Sequence, residues 1–255
     1  MKMPNFFIAG MPRCGTTAAH NFINTHPDIF LSEGNPDHRN NEVWYFCRPN
    51  YYEKGSEWYS QFFQNATGKE KYIGEKTPWY MREKAIERIK KDLGPDVKFL
   101  LCVRDPILRP YSHWVHAHSY AYGNRYRDKD GVFTPFGKCI RDRDMNHSYT
   151  EGSLYGKAVR NFLKFFNRDN LYIMVNEEVK LNPEQEYRKL FDWLGVSGDA
   201  VNYEDCIESV NLSDYKKCGE ILEEDVYFLK ETFKYDTEEF YSYLGRRVEA
   251  WKNSV

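Results

Sequence analysis

No stretch of this sequence offers the roughly 18 consecutive apolar residues of a membrane-spanning helix, so no span is expected. The first residues, MKMPNFFIAG, also lack the long apolar segment and small-residue cleavage site of a secretory leader; a cytoplasmic location is therefore expected. The six cysteines (Cys14, Cys47, Cys102, Cys139, Cys206 and Cys218) include no CxxC pair, which argues against a zinc ribbon or a thioredoxin-like redox site. Reduced thiols are the expectation, although Cys206 and Cys218 are near enough in sequence to bridge in an oxidising compartment. A net charge of −2 supplies no global field for nucleic acid or an anionic membrane, so neither is an expected partner. Without a Pro- or Ser-rich linker, the 255 residues read as one domain, 1–255.

What is abundant is aromatic: 17% of the chain, with 20 Tyr and 17 Phe. This is enough to build a core and also to line a cleft that stacks planar or sugar-like groups. Short apolar runs at NFFIAG, KYIGEKTP, VKFLLCV and NLYIMV read as buried strands. Between them, TTAAHNFI, SEWYSQFF, REKAIERIKKDLG, ILRPYSHWVHAHS, SLYGKAVRNFLKFF and PEQEYRKLFDWLG carry helical spacing. The tail from Glu220 is mostly helical in pattern, and residues 123–150, rich in Gly, Arg and Asp, read as a long loop or insertion. Strands alternating with helices predict an α/β fold, a central parallel β-sheet flanked by helices with right-handed crossovers. In such sheets ligands collect at the carboxyl ends of the strands. The loop after the first strand, the GEKTP turn and the RDP turn should therefore share one rim.

The first of these loops, GMPRCGTT, has the GxxxxG spacing of a nucleotide triphosphate loop but not its lysine. Thr16 follows Gly15, and the loop's only cation is Arg13. Cys14, Gly15, Thr16 and Thr17 would form a nest of backbone N–H groups at a helix start. Such a nest with one guanidinium suits a 5′-phosphate-type group better than a triphosphate with its magnesium. Arg104 ends the strongest strand, and Ser112 follows about two helical turns later. They read either as a structural arginine with an unrelated serine or as two ligands of a second phosphate. Lys76 lies at a strand end, and Glu42 stands before the apolar cluster VWYF, where desolvation raises a carboxylate toward use as a base. Each also has a plain reading, as a solvated lysine or a loop glutamate capping a helix. His113, His116 and His118 do not aim at one point from a helix, so no metal site is expected.

Taken in order, these segments resemble the sulfotransferase superfamily that uses 3′-phosphoadenosine 5′-phosphosulfate (PAPS), with the P-loop-like fold of that family. They are most similar to glycan sulfotransferases of the heparan sulfate 3-O- and N-sulfotransferase type. GMPRCGTTA resembles the 5′-phosphosulfate loop, NEVWYF the segment with the catalytic glutamate, and GEKTPWYM the segment with the catalytic lysine. FLLCVRDPILRPYSHW resembles the 3′-phosphate strand and helix; SLYGKAVRNFLKFF, LYIMVNEEVKLNP, FDWLGV and FYSYLGRRVEAW resemble later elements. The resemblance implies that Glu42 takes the acceptor proton, Lys76 stabilises the sulfuryl oxygens and Arg13 neutralises the departing phosphate. It also implies that Arg104 and Ser112 bind the 3′-phosphate, and that PAP is the product, with no metal required. Arg13 stands where glycan enzymes usually carry lysine, as it does in tyrosylprotein sulfotransferases, which blurs the acceptor class. The family's late Lys-Gly-Arg phosphate loop has no clear match; Lys216 and Lys217 are the nearest candidates.

The expected function is sulfuryl transfer from PAPS to a hydroxyl or amine, with a carbohydrate or glycosylated small molecule as acceptor partner. Arg125, Arg127, Lys138, Arg141 and Arg143 offer either a local basic edge for such an acceptor or a solvated surface. Two other readings stand beside it: a nucleoside or small-molecule kinase, opposed by the missing loop lysine, and a non-catalytic nucleotide-binding module, opposed by the presence of both Glu42 and Lys76.

Overall fold

The structure, a computed structural model, describes residues 1–38, 40–119, 127, 130–142, 149–208, 221–252 and 254. Five strands form one sheet: β1 (Phe6–Gly10), β2 (Ile29–Leu31), β3 (Tyr72–Lys76), β4 (Lys98–Val103) and β5 (Leu171–Val175). The order is β2-β3-β1-β4-β5 and every pairing is parallel. This is the α/β architecture expected from the alternating pattern. The helices are α1 (Thr16–Ile23), α2 (Pro49–Tyr52), α3 (Gly55–Ser60), α4 (Glu83–Leu93), α5 (Leu108–Ser119) and α6 (Phe136–Arg141), followed by α7 (Tyr155–Leu163), α8 (Asn176–Leu181), α9 (Pro183–Leu194), α10 (Asp205–Glu208) and α11 (Glu223–Leu244).

The chain divides into two compact units, Met1–Val103 with Ala158–Val210, and Arg104–Lys157 with Asn211–Val255. The first contains the sheet. All five β1 residues are buried, as are Phe99 to Val103 of β4, because a parallel sheet is covered on both faces and cannot alternate with polar positions. Phe7 of β1 sits edge-on to Phe46 and Tyr80 and against Phe99. Phe22 of α1 packs on Tyr187 and Phe191 of α9. Since β3, β1 and β4 are neighbours and run the same way, their carboxyl ends lie side by side.

The second unit has its own core, in which Ile107, Tyr111, Trp114 and Val115 meet Phe136, Cys139 and Ile140 of α6, Tyr149, and Leu229 and Phe233 of α11. Asp105 accepts the N–H groups of Ile107 and Leu108 through one carboxylate oxygen and so caps the start of α5. Arg109, with no exposure, donates to the Ser153 hydroxyl and the Tyr149 carbonyl. The span 123–150 includes helix α6 and the buried Cys139, Ile140 and Tyr149, so part of it belongs to this core. Arg141 pairs with Asp225 and donates to the Glu224 carbonyl at the start of α11; Arg127 lies over Phe133 and donates to Gly131. Those two arginines serve local structure. Arg125, Arg143, Lys216, Lys217 and Cys218 lie outside the described residues, and Cys206 is a free thiol. No helix among the described residues is long and apolar enough to cross a membrane.

In the first unit α1 is tied to β2 by side chains. The Asn24 carboxamide oxygen accepts the Leu31 N–H at 2.7 Å, and buried His20 donates from Nε2 to the Ser32 carbonyl at 3.0 Å. Burial, aided by the Lys76 charge and opposed by the Ser32 bond, holds the His20 pKa below its ordinary 6.5. As pH falls through about 6.5 the unfolded chain therefore takes up the proton first, and stability declines toward acid by up to about 1.4 kcal/mol per pH unit. Urea midpoints at about pH 7.5 and about pH 5.5 should show this decline in the wild type and a flatter dependence in His20→Gln.

Candidate active site

The loop between β1 and α1 turns on Gly15, whose φ of 86° lies in the left-handed region open to glycine. A Cβ there would also come within 2.5 Å of the Asn176 side-chain oxygen. Gly15 is the N-cap of α1 and no side chain caps the helix, so the first-turn N–H groups, beginning with Thr16 and Thr17, form an anion nest with the positive end of the helix dipole. Arg13 has φ 69° on the crown of the loop, half-buried, while Cys14 and Thr16 are buried beneath it. Asn176, the first residue of α8 after β5, borders this loop and was not singled out by the sequence reading. Its one sequence signal is a polar amide at the carboxyl end of an apolar strand.

Strand β3 brings the next group. Its last residue, Lys76, has no solvent exposure, and Nζ donates to the Thr17 hydroxyl at 3.1 Å. The lysine thereby reaches the first turn of α1. Burial lowers its pKa to about 8, and only the Glu42 charge opposes that fall. Glu42 shows the reciprocal effect: burial raises its carboxyl to about 7, while Lys76, a hydrogen bond from the Trp44 side chain and Arg48 pull it down. The two groups form a desolvated acid–base pair near neutrality. Lys76 thus joins the first turn of α1 through Thr17, and the Glu42 charge acts on the same lysine.

Glu42 is held there by an unusual stretch of backbone. Asn40, Asn41 and Trp44 all have positive φ, between 58° and 67°. Upstream, the Asn35 N–H donates to the Glu42 carbonyl at 3.1 Å, and Gly34 (φ 84°) packs so tightly on Asn41 that a Cβ would come within 2.3 Å of its carbonyl carbon. Downstream, the Val43 and Trp44 N–H groups donate to the Thr77 hydroxyl at 3.2 and 3.1 Å. Positive φ at non-glycine residues is tolerated where surrounding bonds over-determine the backbone, a condition common at functional sites. Arg48 stacks over the Trp44 ring at 4.7 Å beside this carboxylate.

Of the remaining sequence candidates, Arg104 is the first residue after β4 and is half-buried, and Ser112 is buried within α5. The Tyr155 hydroxyl donates to the Arg104 carbonyl at 2.6 Å and accepts its N–H at 3.3 Å, which fixes the Arg104 backbone. Among the described residues no three His, Cys, Asp or Glu side chains are grouped to hold a metal ion.

The family model described as a sulfotransferase domain matches residues 3–253. Bifunctional heparan sulfate N-deacetylase/N-sulfotransferase 2 of Homo sapiens is 25% identical over 199 residues, 77% of this chain and 22% of that protein. The membrane-associated sulfotransferase kil1 of Dictyostelium discoideum is 35% identical over 115 residues, 44% of this chain and 22% of its own. The chain thus spans about a fifth of the length of these curated relatives. Among solved structures, a sulfotransferase from Alicyclobacillus acidocaldarius superposes with TM-score 0.77 at 22% identity, over 99% of this chain and 100% of that one. The mouse sulfotransferase SULT7A1, complexed with PAP, superposes with TM-score 0.56 at 14% identity, over 98% of this chain and 86% of its own. Because that family model spans nearly the whole length, the chain belongs to the sulfotransferase family.

Proposed function

We propose that this sulfotransferase moves the sulfuryl group of PAPS onto a hydroxyl or amine of a carbohydrate acceptor. The observation that carries the proposal is the Lys76–Thr17 contact at 3.1 Å with Glu42 electrostatically coupled to the same lysine. It gathers a base, a cation and an anion nest at one loop. The nest at Gly15, Thr16 and Thr17, with Arg13, suits the 5′-phosphosulfate of the donor substrate, and Cys14 is buried under the turn. Arg104 and Ser112 would take the 3′-phosphate, with Lys216 and Lys217 as further candidates for that group. The carbohydrate acceptor is suggested by the heparan sulfate enzymes among the relatives.

In the proposed reaction the acceptor oxygen or nitrogen attacks sulfur in line as its proton passes to Glu42. The bond between sulfur and the bridging phosphate oxygen breaks, and its electron pair stays on that oxygen, leaving PAP. Lys76 would stabilise the sulfuryl oxygens as the group transfers. Arg13 meets the charge that develops on the phosphate. A base with pKa about 7 suits such a transfer, because about half of it is free to accept a proton at neutral pH and it is not too weak to draw one.

Three outcomes are expected. Glu42→Gln should keep nucleotide binding but lose roughly 10²–10⁴ in turnover, the usual worth of a positioned base. Near-normal turnover would remove Glu42 from the mechanism. Activity should persist in EDTA, because Arg13 and Lys76 supply the charge that magnesium supplies in phosphoryl transfer; loss restored by magnesium would favour a kinase. Calorimetric titration should show PAP binding at least ~10-fold tighter than adenosine 5′-phosphate, since a charge-assisted hydrogen bond contributes about 1.5–3 kcal/mol. Arg104→Ala should lose most of that preference, and equal wild-type affinities would overturn PAPS as donor.

A further inference from the structure

Glu75 is a fully buried carboxylate that the reaction above does not use. It precedes Lys76 on β3, so strand alternation sends the two side chains to opposite faces. Lys76 reaches the nucleotide loop; Glu75 and Thr77 face the aromatic segment after Glu42. There Glu75 accepts three hydroxyl protons: from Tyr59 at 2.5 Å and Tyr80 at 2.7 Å on one oxygen, and from Thr77 at 2.8 Å on the other. Burial raises its pKa to about 7 even against these three bonds and the Val43 N–H, each of which lowers it. Two of the hydroxyls pass the constraint on. Thr77 accepts the Val43 and Trp44 N–H groups at 3.2 and 3.1 Å, and Tyr80 accepts the Phe46 N–H at 3.4 Å.

We propose that Glu75 is a positioning residue for Glu42, acting through the Thr77 and Tyr80 hydroxyls on the backbone of residues 43 to 46. Proton count sets the direction of these bonds. A hydroxyl has a single proton and its remaining capacity is as an acceptor. Because Glu75 takes the proton of Thr77 and of Tyr80, the lone pairs of both are left for the amides of Val43, Trp44 and Phe46. The same tyrosines hold the segment by packing: Tyr45 stacks on Tyr59 with centroids 4.1 Å apart, and Phe46 lies edge-on to Tyr59 and Tyr80. With the Asn35 bond to the Glu42 carbonyl, the base is fixed from both sides of its own residue.

Glutamine at position 75 has the shape but not the proton capacity. If its amide faces Thr77, the threonine proton must turn toward the amides it was accepting. If it faces the tyrosines, the Tyr80 proton must turn toward the Phe46 N–H. Either orientation breaks one relay and leaves a buried donor unsatisfied.

The inference rests on the proposed role of Glu42 as base, and its test reads the backbone separately from the chemistry. Amide hydrogen exchange at Val43, Trp44 and Phe46 is measured by NMR in wild type, Glu75→Gln, Thr77→Val and Thr77→Ser, alongside kcat, both KM values and calorimetric PAP affinity. Exchange should accelerate at least ~10-fold at Val43 and Trp44 in Thr77→Val, and at either that pair or Phe46 in Glu75→Gln, while β1 amides stay protected. In those variants kcat should fall at least ~10-fold, with PAP affinity held within about 2-fold. Thr77→Ser, which keeps the hydroxyl, should restore both readouts. If Glu75→Gln does not fold, the Thr77 pair decides the outcome. Unchanged exchange at the three amides, or a fall in kcat matched by loss of PAP affinity, overturns the proposal. Full turnover in Glu42→Gln instead sinks the base assignment and with it the catalytic part of this inference, while the exchange data still decide whether Glu75 pins the segment.

Discussion

Three consecutive polar residues, Glu75, Lys76 and Thr77, have no solvent exposure at the end of a central strand, and the site depends on that burial. A charged or hydroxylic side chain so placed must find partners or neutralise. Strand geometry resolves the problem by dividing the three between two faces. Lys76 takes Thr17 on one side, while Glu75 and Thr77 form the polar centre of an aromatic cluster on the other. The loop that would receive a nucleotide phosphate and the loop that carries the proposed base are thereby referenced to a single strand. Neither needs a long chain of contacts to be set relative to the other.

The same burial sets the electrostatics. In water Glu42 and Lys76 would be a carboxylate and an ammonium several pK units apart. Desolvation moves one up to about 7 and the other down to about 8, while their mutual attraction keeps both from drifting further. His20, on the helix that leads from the nest, lowers its proton affinity in part because Lys76 is near.

Much of this was legible before the fold was known, and the limits have physical causes. Four strands announced themselves as continuous apolar runs, because parallel strands covered on both faces cannot alternate. The fifth, β2, is three residues long, Ile29–Leu31, too short for any period to register. Glu42, Lys76, Arg13 and the glycine loop stood out because their local patterns are rare in combination. Asn176 and Glu75 did not. The place of Asn176 depends on β5 ending beside Gly15, and that of Glu75 on Tyr59, Thr77 and Tyr80 converging from different parts of the chain. The charge run around Arg127 and Arg141 left two readings open that only contacts could separate, and both side chains turn out to serve local structure.

The near-degenerate acid–base pair has a consequence for ligand energetics. Burial and mutual attraction leave the Glu42 carboxyl at about 7 and the Lys76 ammonium at about 8, both close to neutrality. A polyanion bound beside them would favour the protonated form of both groups and would draw protons from solvent as it bound. The heat of that association would then contain the ionisation enthalpy of the buffer, and the affinity would strengthen toward acid until both groups were loaded. Nucleotide binding and base function would thus pull the Glu42 proton in opposite directions.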